Sequence, residues 1–442
     1  MTLMRPSAGP HASTLRDRRF GYDATGNLLS IDLSGDTQDA SLGAFKYTYD
    51  PVGQLLSAVK PGLTETFTFD PAGNLLDPGS ASSNASQAVP SARQGSLPKL
   101  PAITGNLLNT ILGHSYRYDA QGNVIAKHSA AGASGNGSPA TDLTLEYDAD
   151  NRLRRSVRTS GLLRHTAEYF YDAFSRRVAK RVVEEHHRAV PQTKLAQHEL
   201  VSDNITLFVW EGDVLVQEFR ATDTIAYCYE PNSFVPIARV ISQGGHDSVR
   251  QAKENTLRRH NSKVVAMSIC PAPTQKHVID RFNLPSISWW MLRGRSNVAA
   301  QQLPGEDCGF LEAAHQAAWS KSFSDAQDAG QKDRVEYYNC DHLGIPRELL
   351  EDDGNIVWTS QIKAWGGAYR NMQDNAAANE QHQPLGFLGQ YSDVETGLFY
   401  NRYRYYDADT AKYLSQDPIG LLGGLNPYIY APNPTGWTDP LG

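Results

Sequence analysis

Cysteine is scarce in this chain: four residues in 442, at positions 228, 270, 308 and 340. No two of them form a C-x-x-C pair, so neither a zinc ribbon nor a disulfide-dense scaffold is expected, and buried free thiols are. Charge is also thin, at 20% of residues against about 25% in ordinary soluble proteins. With 40% hydrophobic residues, that composition argues against a disordered chain and against a coiled coil. The formal net charge of −7 supplies no general attraction to nucleic acid or to anionic membranes, and no nucleic-acid partner is expected. The first thirty residues hold no apolar core of a signal peptide, and no run approaches the roughly 18 apolar residues of a membrane-spanning helix. P-loop, G-x-S-x-G and H-E-x-x-H motifs are missing, so no cofactor is expected. Cys340, Asp341 and His342 stand together without a second ligand cluster at useful spacing, so His342 reads as a turn or core residue and no metal is expected. Methionine is rare (5), while tyrosine (21) and glycine (36) are abundant, a balance that leans toward strands and tight turns.

What is present is a repeat. FGYDATGNLLSI at 20–31 returns as YTYDPVGQLLSA at 47–58, FTFDPAGNLLD at 67–77 and YRYDAQGNVIAK at 116–127. Weaker copies are LEYDADNRLRRS at 145–156 and YFYDAFSRRVAK at 169–180. Their aspartates are Asp23, Asp50, Asp70, Asp119, Asp148 and Asp172. The aromatic–x–aromatic stretch has period two and puts both rings on one sheet face, as for Phe67 with Phe69 and Tyr116 with Tyr118. Asp opens a turn through its side chain, and Gly three residues later closes it at positive φ. The aliphatic residues that follow begin the return strand. Each phrase is therefore a β-hairpin with one half-buried face, and such units must stack on their neighbours. The aspartates are turn formers and are assigned no catalysis.

Residues 1–19 read as an N-terminal tail and 20–241 as the hairpin region. Inside it, the Ser/Pro/Gly/Ala-rich 77–110 and the stretch 128–142 read as flexible insertions. From 243 to 333 the alternation fades. A basic patch (Arg250, Lys253, Arg258, Arg259), the pair Trp289-Trp290 and an alanine-rich stretch near 311–329 suggest an irregular, partly helical insertion.

Strand signal returns at Val335. VEYYNCDHLGIPRELLEDDGNIVWTSQIKAWGGAY at 335–369 resembles the RHS signature, and 386–442 resembles the RHS repeat-associated core. The upstream phrases resemble YD repeats. The resemblance covers most of 20–241 and 335–442 and leaves 243–333 unexplained. It implies an all-β fold: a ribbon of YD hairpins spiralling into a cocoon-like shell. In bacterial polymorphic toxins and toxin-complex C components, such a shell encloses a C-terminal toxin. The implied partners are that toxin cargo, further N-terminal RHS sequence, and a secretion-system spike or chaperone. The implied location is the bacterial cytoplasm, followed by export without a signal peptide.

The resemblance also implies one chemical act, a self-cleavage between core and toxin by aspartates in a DPxG-x18-DPxG pattern. Here DPIG occupies 417–420 and DPLG 439–442, separated by 18 residues. Asp417 and Asp439, if brought together, could divide acid and base roles, because like charges at contact distance do not both ionise. An arginine of an RYYD phrase, Arg404 here, would fix their geometry or balance their charge. Asp-Pro also starts ordinary turns, so both readings stand at this point. A purely structural, teneurin-like YD module and an inactive remnant of a longer RHS gene are the alternative readings. The chain stops directly after the second DPxG, with no toxin domain in view.

Overall fold

The computed structural model describes residues 2–4, 14–34, 43–77, 103–133, 138–188, 197–243, 333–360, 362–367 and 383–442. The expectations for the basic patch, Trp289-Trp290 and the helical stretch near 311–329 fall outside these residues.

The described chain is all β. Six strands, β1 (Thr2–Met4), β2 (Thr14–Tyr22), β3 (Leu28–Ser34), β4 (Ala44–Tyr49), β5 (Leu55–Lys60) and β6 (Leu63–Thr66), form one antiparallel meander. After a two-stranded β7 (Ile103–Thr104) and β8 (Leu107–Leu108), a second meander of fourteen strands runs from β9 (Thr110–Ile111) to β22 (Ile356–Thr359). It includes β10 (His114–Tyr118), β14 (Leu163–Tyr171), β15 (Arg177–Arg188), β16 (Gln197–Glu211), β17 (Val214–Phe219) and β21 (Pro346–Leu350), each paired with its sequence neighbours. A third sheet holds β23 (Gln390–Asp393), β24 (Leu398–Asn401), β25 (Arg404–Asp407) and β26 (Lys412–Tyr413). Among the described residues the only helical element is the 3-10 turn Gly420–Leu422. Strand pairing already involves Thr2–Met4 and Thr14–Tyr22, so 1–19 is not simply a tail: β1 supplies the partner that β2 needs on its outer side. Strands β7 and β8 likewise lie inside 77–110, and β9 begins at its last residue.

Each repeat phrase makes the same turn. The Gly73 N–H donates to Asp70 O, and Asp70 Oδ1 accepts the N–H groups of Ala72 and Asn74. Gly73 sits at φ 77°, where an L side chain is disfavoured. Strand register slips by one residue just before most of these turns, as between Arg117 and Tyr118, giving a bulge that aims the last aromatic inward. The weaker copies keep the turn without glycine: Asn151 and Ser175 take φ 59° and 60°. The Asp341-to-Gly344 turn, which carries His342, repeats the pattern.

A flat sheet of fourteen strands would spread about 60 Å from edge to edge. Instead the ribbon curls. Arg18 on β2 pairs with Glu348 on β21, the Phe20 and His342 rings lie 5.1 Å apart, and the Ala364 N–H donates to Glu65 at 2.9 Å. The third sheet fills the inside of the curl. Tyr116 on β10 donates to Asp407, Arg177 on β15 pairs with Asp393, and Tyr391 donates to Glu218 on β17. One apolar core joins wall and plug, with Tyr116, Tyr169, Phe208 and Ile225 packed among Tyr391, Leu398, Tyr400 and Tyr405.

Candidate self-cleavage site at the end of the core

The 18-residue spacer between the two DPxG phrases folds back on β26. Tyr413 N–H donates to Tyr428 O, and Asp417 N–H donates to Pro427 O, both at 2.9 Å. The returning strand is pinned to the hairpin tips of the wall. Asn426 Nδ2 donates to Ala72 O and Asn74 Oδ1, Tyr428 Oη to Gly122 O, and Asn433 Nδ2 to Gly53 O. The Thr435 hydroxyl meets the Tyr49 hydroxyl at 2.7 Å, while its carbonyl lies 2.9 Å from His342 Nε2. The wall's turns thus set where Asp439 lies.

The result brings the three sequence-derived residues together. Arg404, on β25 and 3% exposed, sends Nη2 to Asp417 Oδ2 at 3.2 Å and to Asp439 Oδ2 at 3.3 Å. Its Nη1 donates to Pro427 O at 2.9 Å, the same carbonyl that accepts from Asp417 N–H. The guanidinium is thereby fixed by one backbone acceptor and faces both carboxyl groups. The two carboxyls are 14% and 29% exposed, so water can reach them.

Their surroundings differ. Asp439 accepts from three donors: Gly442 N–H on Oδ1 at 3.1 Å, and Tyr413 Oη at 2.8 Å together with Arg404 on Oδ2. Asp417 accepts the Ile419 N–H on Oδ1 at 2.9 Å, and its Oδ2 makes the ion contact with Arg404. Gly420 N–H also donates to Asp417 O, so the first DPxG is at once a turn and a member of the cluster. Burial, and then the Asp439 charge, push the Tyr413 phenol well above its usual range, so it remains a proton donor.

Close approach is built in by glycine. A Cβ on Gly423 would collide with Asp417 Oδ2, one on Gly389 with Pro440 O, and one on Gly442 with Asn401 O. The sequence reading missed Tyr413, Asn401 and Pro427. No spacing signal distinguishes Tyr413 from its neighbours in a segment crowded with tyrosine, and Pro427 acts through its carbonyl, which no side-chain motif reveals. Among the described residues no group of three His, Cys, Asp or Glu could hold a metal, and no helix is long and apolar enough to cross a membrane.

The family model for the Teneurin YD-shell matches residues 11–190, and that for RHS protein matches 335–371. The chain belongs to the RHS/YD-repeat proteins. It is 31% identical to toxin protein Tse5 of Pseudomonas aeruginosa and 29% identical to double-stranded DNA deaminase toxin A of Burkholderia cenocepacia, over 96% of its own length in each case. It spans 27% and 22% of those two proteins, about a quarter of their length. Toxin subunit YenC1 of Yersinia entomophaga matches at 24% identity over 98% of this chain and 37% of the subunit. Among solved structures, a chain of the Photorhabdus luminescens Tc holotoxin pore aligns with a TM-score of 0.49 and 17% identity, over 97% of this chain and 17% of that one.

Proposed function

We propose that this chain is the shell segment of a bacterial RHS toxin protein, enclosing or presenting a C-terminal toxin, and that it cuts itself once at the end of the core. The observation that carries the reading is the shared contact of Asp417 and Asp439 with Arg404 Nη2, with Asp439 Oδ1 already on the backbone N–H of Gly442. A peptide bond continuing the chain past Gly442 then lies beside the cluster. Asp439, matched to three donors as a carboxylate, takes a proton from water as the water oxygen bonds to the scissile carbonyl carbon. Asp417 gives its proton to the carbonyl oxygen. As that adduct collapses, Asp439 passes its proton to the departing nitrogen and the adduct's hydroxyl returns one to Asp417, so the C–N bond breaks, both carboxyls are restored and one water has been added across the peptide. Arg404 keeps the two carboxyls in one geometry and offsets the negative charge that builds there. The partners are the toxin cargo, further N-terminal RHS sequence and a secretion-system spike or chaperone. Export proceeds from the bacterial cytoplasm by a contact-dependent system.

The test is a fusion that continues the chain past Gly442 with a leucine and a small reporter domain. The reporter is expected to be released during expression without added protease. Asp417→Asn and Asp439→Asn should each leave the fusion intact, a loss on the order of 10²-fold or more, while circular dichroism and thermal unfolding match the parent. Arg404→Ala should slow release less completely. Folded Asn variants that release at the parent rate would leave only the structural reading of a YD module.

A further inference from the structure

We infer that Tyr413 is a positioning residue for Asp439 in self-cleavage, and that Asn401 sets the direction of its hydroxyl. The inference rests on the self-cleavage reading. Tyr413 is 2% exposed and Asn401 fully buried, so water does not compete for either side chain. Asn401 Nδ2 donates to Tyr413 Oη at 2.7 Å, and that oxygen donates in turn to Asp439 Oδ2 at 2.8 Å. An amide N–H can only donate, so the phenol oxygen accepts from Asn401 and has its one proton left for Asp439. Asn401 Nδ2 also reaches Asp439 O at 2.8 Å, so the same amide clasps both the backbone and, through Tyr413, the carboxylate of one residue.

The ring of Tyr413 has a second task. Arg404 Cζ lies 3.6 Å from its centroid, and the ring is braced by Tyr406 at 5.7 Å and Tyr430 at 6.0 Å. The guanidinium is therefore held from its face by the ring and from its edge by Pro427 O, which leaves Nη2 aimed at both carboxyls. Tyr413 thus couples the base to the cation. Its hydroxyl holds Asp439 Oδ2, which leaves Oδ1 on the Gly442 N–H, while its ring fixes Arg404. Nothing in this arrangement requires Tyr413 to touch the scissile bond.

The test uses the full chain fused to the reporter, made by cell-free synthesis, with translation stopped and aliquots moved to buffers of different pH. Tyr413→Phe keeps the ring and removes the hydroxyl. Release should slow by roughly 10- to 100-fold, the range for losing a hydrogen bond to a charged group. The acid limb of its pH–rate profile should also move to higher pH, because Asp439 has lost a donor that favours its charged form. Asn401→Ser should slow release less, and Tyr413→Phe with Asn401→Ser should lose less than the product of the two single effects, since the two share the Tyr413 hydroxyl while Asn401 alone also holds Asp439 O. A Tyr413→Phe rate and profile equal to the parent would overturn the inference. So would slower release with an unshifted pH profile, which a structural role alone would give. If Tyr413→Phe does not fold, the Asn401→Ser profile decides by the same criterion. Release from the Asp417→Asn and Asp439→Asn fusions would instead count against the self-cleavage reading itself.

Discussion

Arg177 keeps a positive charge where water is excluded. It is 1% exposed, paired with Asp393, and surrounded by the rings of Tyr400 at 4.3 Å, Phe208 at 4.9 Å, Tyr391 at 5.2 Å and Tyr169 at 5.5 Å. Aromatic faces carry negative potential, so the cage lowers the cost of burying the guanidinium and makes the site specific for a planar cation. Lys180 shares Asp393 and reaches Glu395, so two wall cations meet two plug carboxylates. Arg177→Met should cost about 3–5 kcal/mol in urea unfolding, because a buried pair loses one partner. Gly389 acts by its lack of a side chain: at φ 79° and against Pro440 O, it lets the second DPxG lie down on the core. Gly389→Ala should slow reporter release, with a stability loss of about 1–3 kcal/mol from the strained backbone and the displaced Pro440. Asp417 and Asp439 were legible because the DPxG-x18-DPxG pattern that the resemblance implies can be counted along the chain, and Arg404 through the RYYD phrase of the same resemblance. Arg177 was not, because it lies in a polar phrase, SRRVAK, that reads as surface until the plug covers it.

At the scale of the element, the unit is the hairpin tip. Asp119 takes the N–H groups of Gln121 and Asn123 on Oδ1 and the Asn123 amide on Oδ2, an arrangement repeated at Asp23 and, with another partner on Oδ2, at Asp148 and Asp172. In the two weaker copies an arginine takes over from asparagine: Arg152 Nε binds Asp148 and Arg176 Nε binds Asp172. The phrase Y-x-Y-D-x-x-G-N could be read as a hairpin because each residue does a local task. The copies without glycine were also recognisable, since Asn and Ser still reach positive φ, at some cost. Ser175→Gly should therefore stabilise the fold by about 1 kcal/mol, as a residue at φ 60° loses its steric penalty. Asp119→Ala should destabilise by about 1–2 kcal/mol by leaving two backbone donors without the carboxylate. The tips have a second task that no local pattern carries. Their carbonyls at Gly53, Ala72 and Gly122 receive Asn433, Asn426 and Tyr428 from more than 300 residues away in sequence.

Across the whole molecule, the all-β class and the stacking of hairpins were readable from the repeats, whereas the meeting of the ribbon's ends was not. Closure depends on side chains such as Arg18 and Glu348, 330 residues apart, and on how much the sheet twists, which sequence period does not encode. The wall and the plug bury many phenols. Burial pushes Tyr400 up to about 12 and lifts Tyr169, Tyr171, Tyr227, Tyr405 and Tyr406 well above their usual range. An unfolded chain loses these protons near pH 10, while the folded state keeps them. Between those values the folded state binds more protons, so stability falls as pH rises above about 10. Phenolate absorbance should then appear together with loss of the strand signal, in one cooperative step. A smooth phenolate rise near pH 10 with the strand signal intact would show that the tyrosines are open to solvent.

The wall, the plug and the hydrogen-bonded tips supply the geometry for one proposed outcome, a single hydrolysis beside Gly442. Cell-free synthesis of the reporter fusion in H₂¹⁸O, followed by intact mass measurement of both products, reads that outcome directly. The expected result is a core fragment ending within a residue or two of Gly442, with one ¹⁸O in its new carboxyl group, and no such fragment from folded Asp417→Asn or Asp439→Asn. A cut elsewhere, an unlabelled new terminus, or the same labelled fragment from both Asn variants would contradict it.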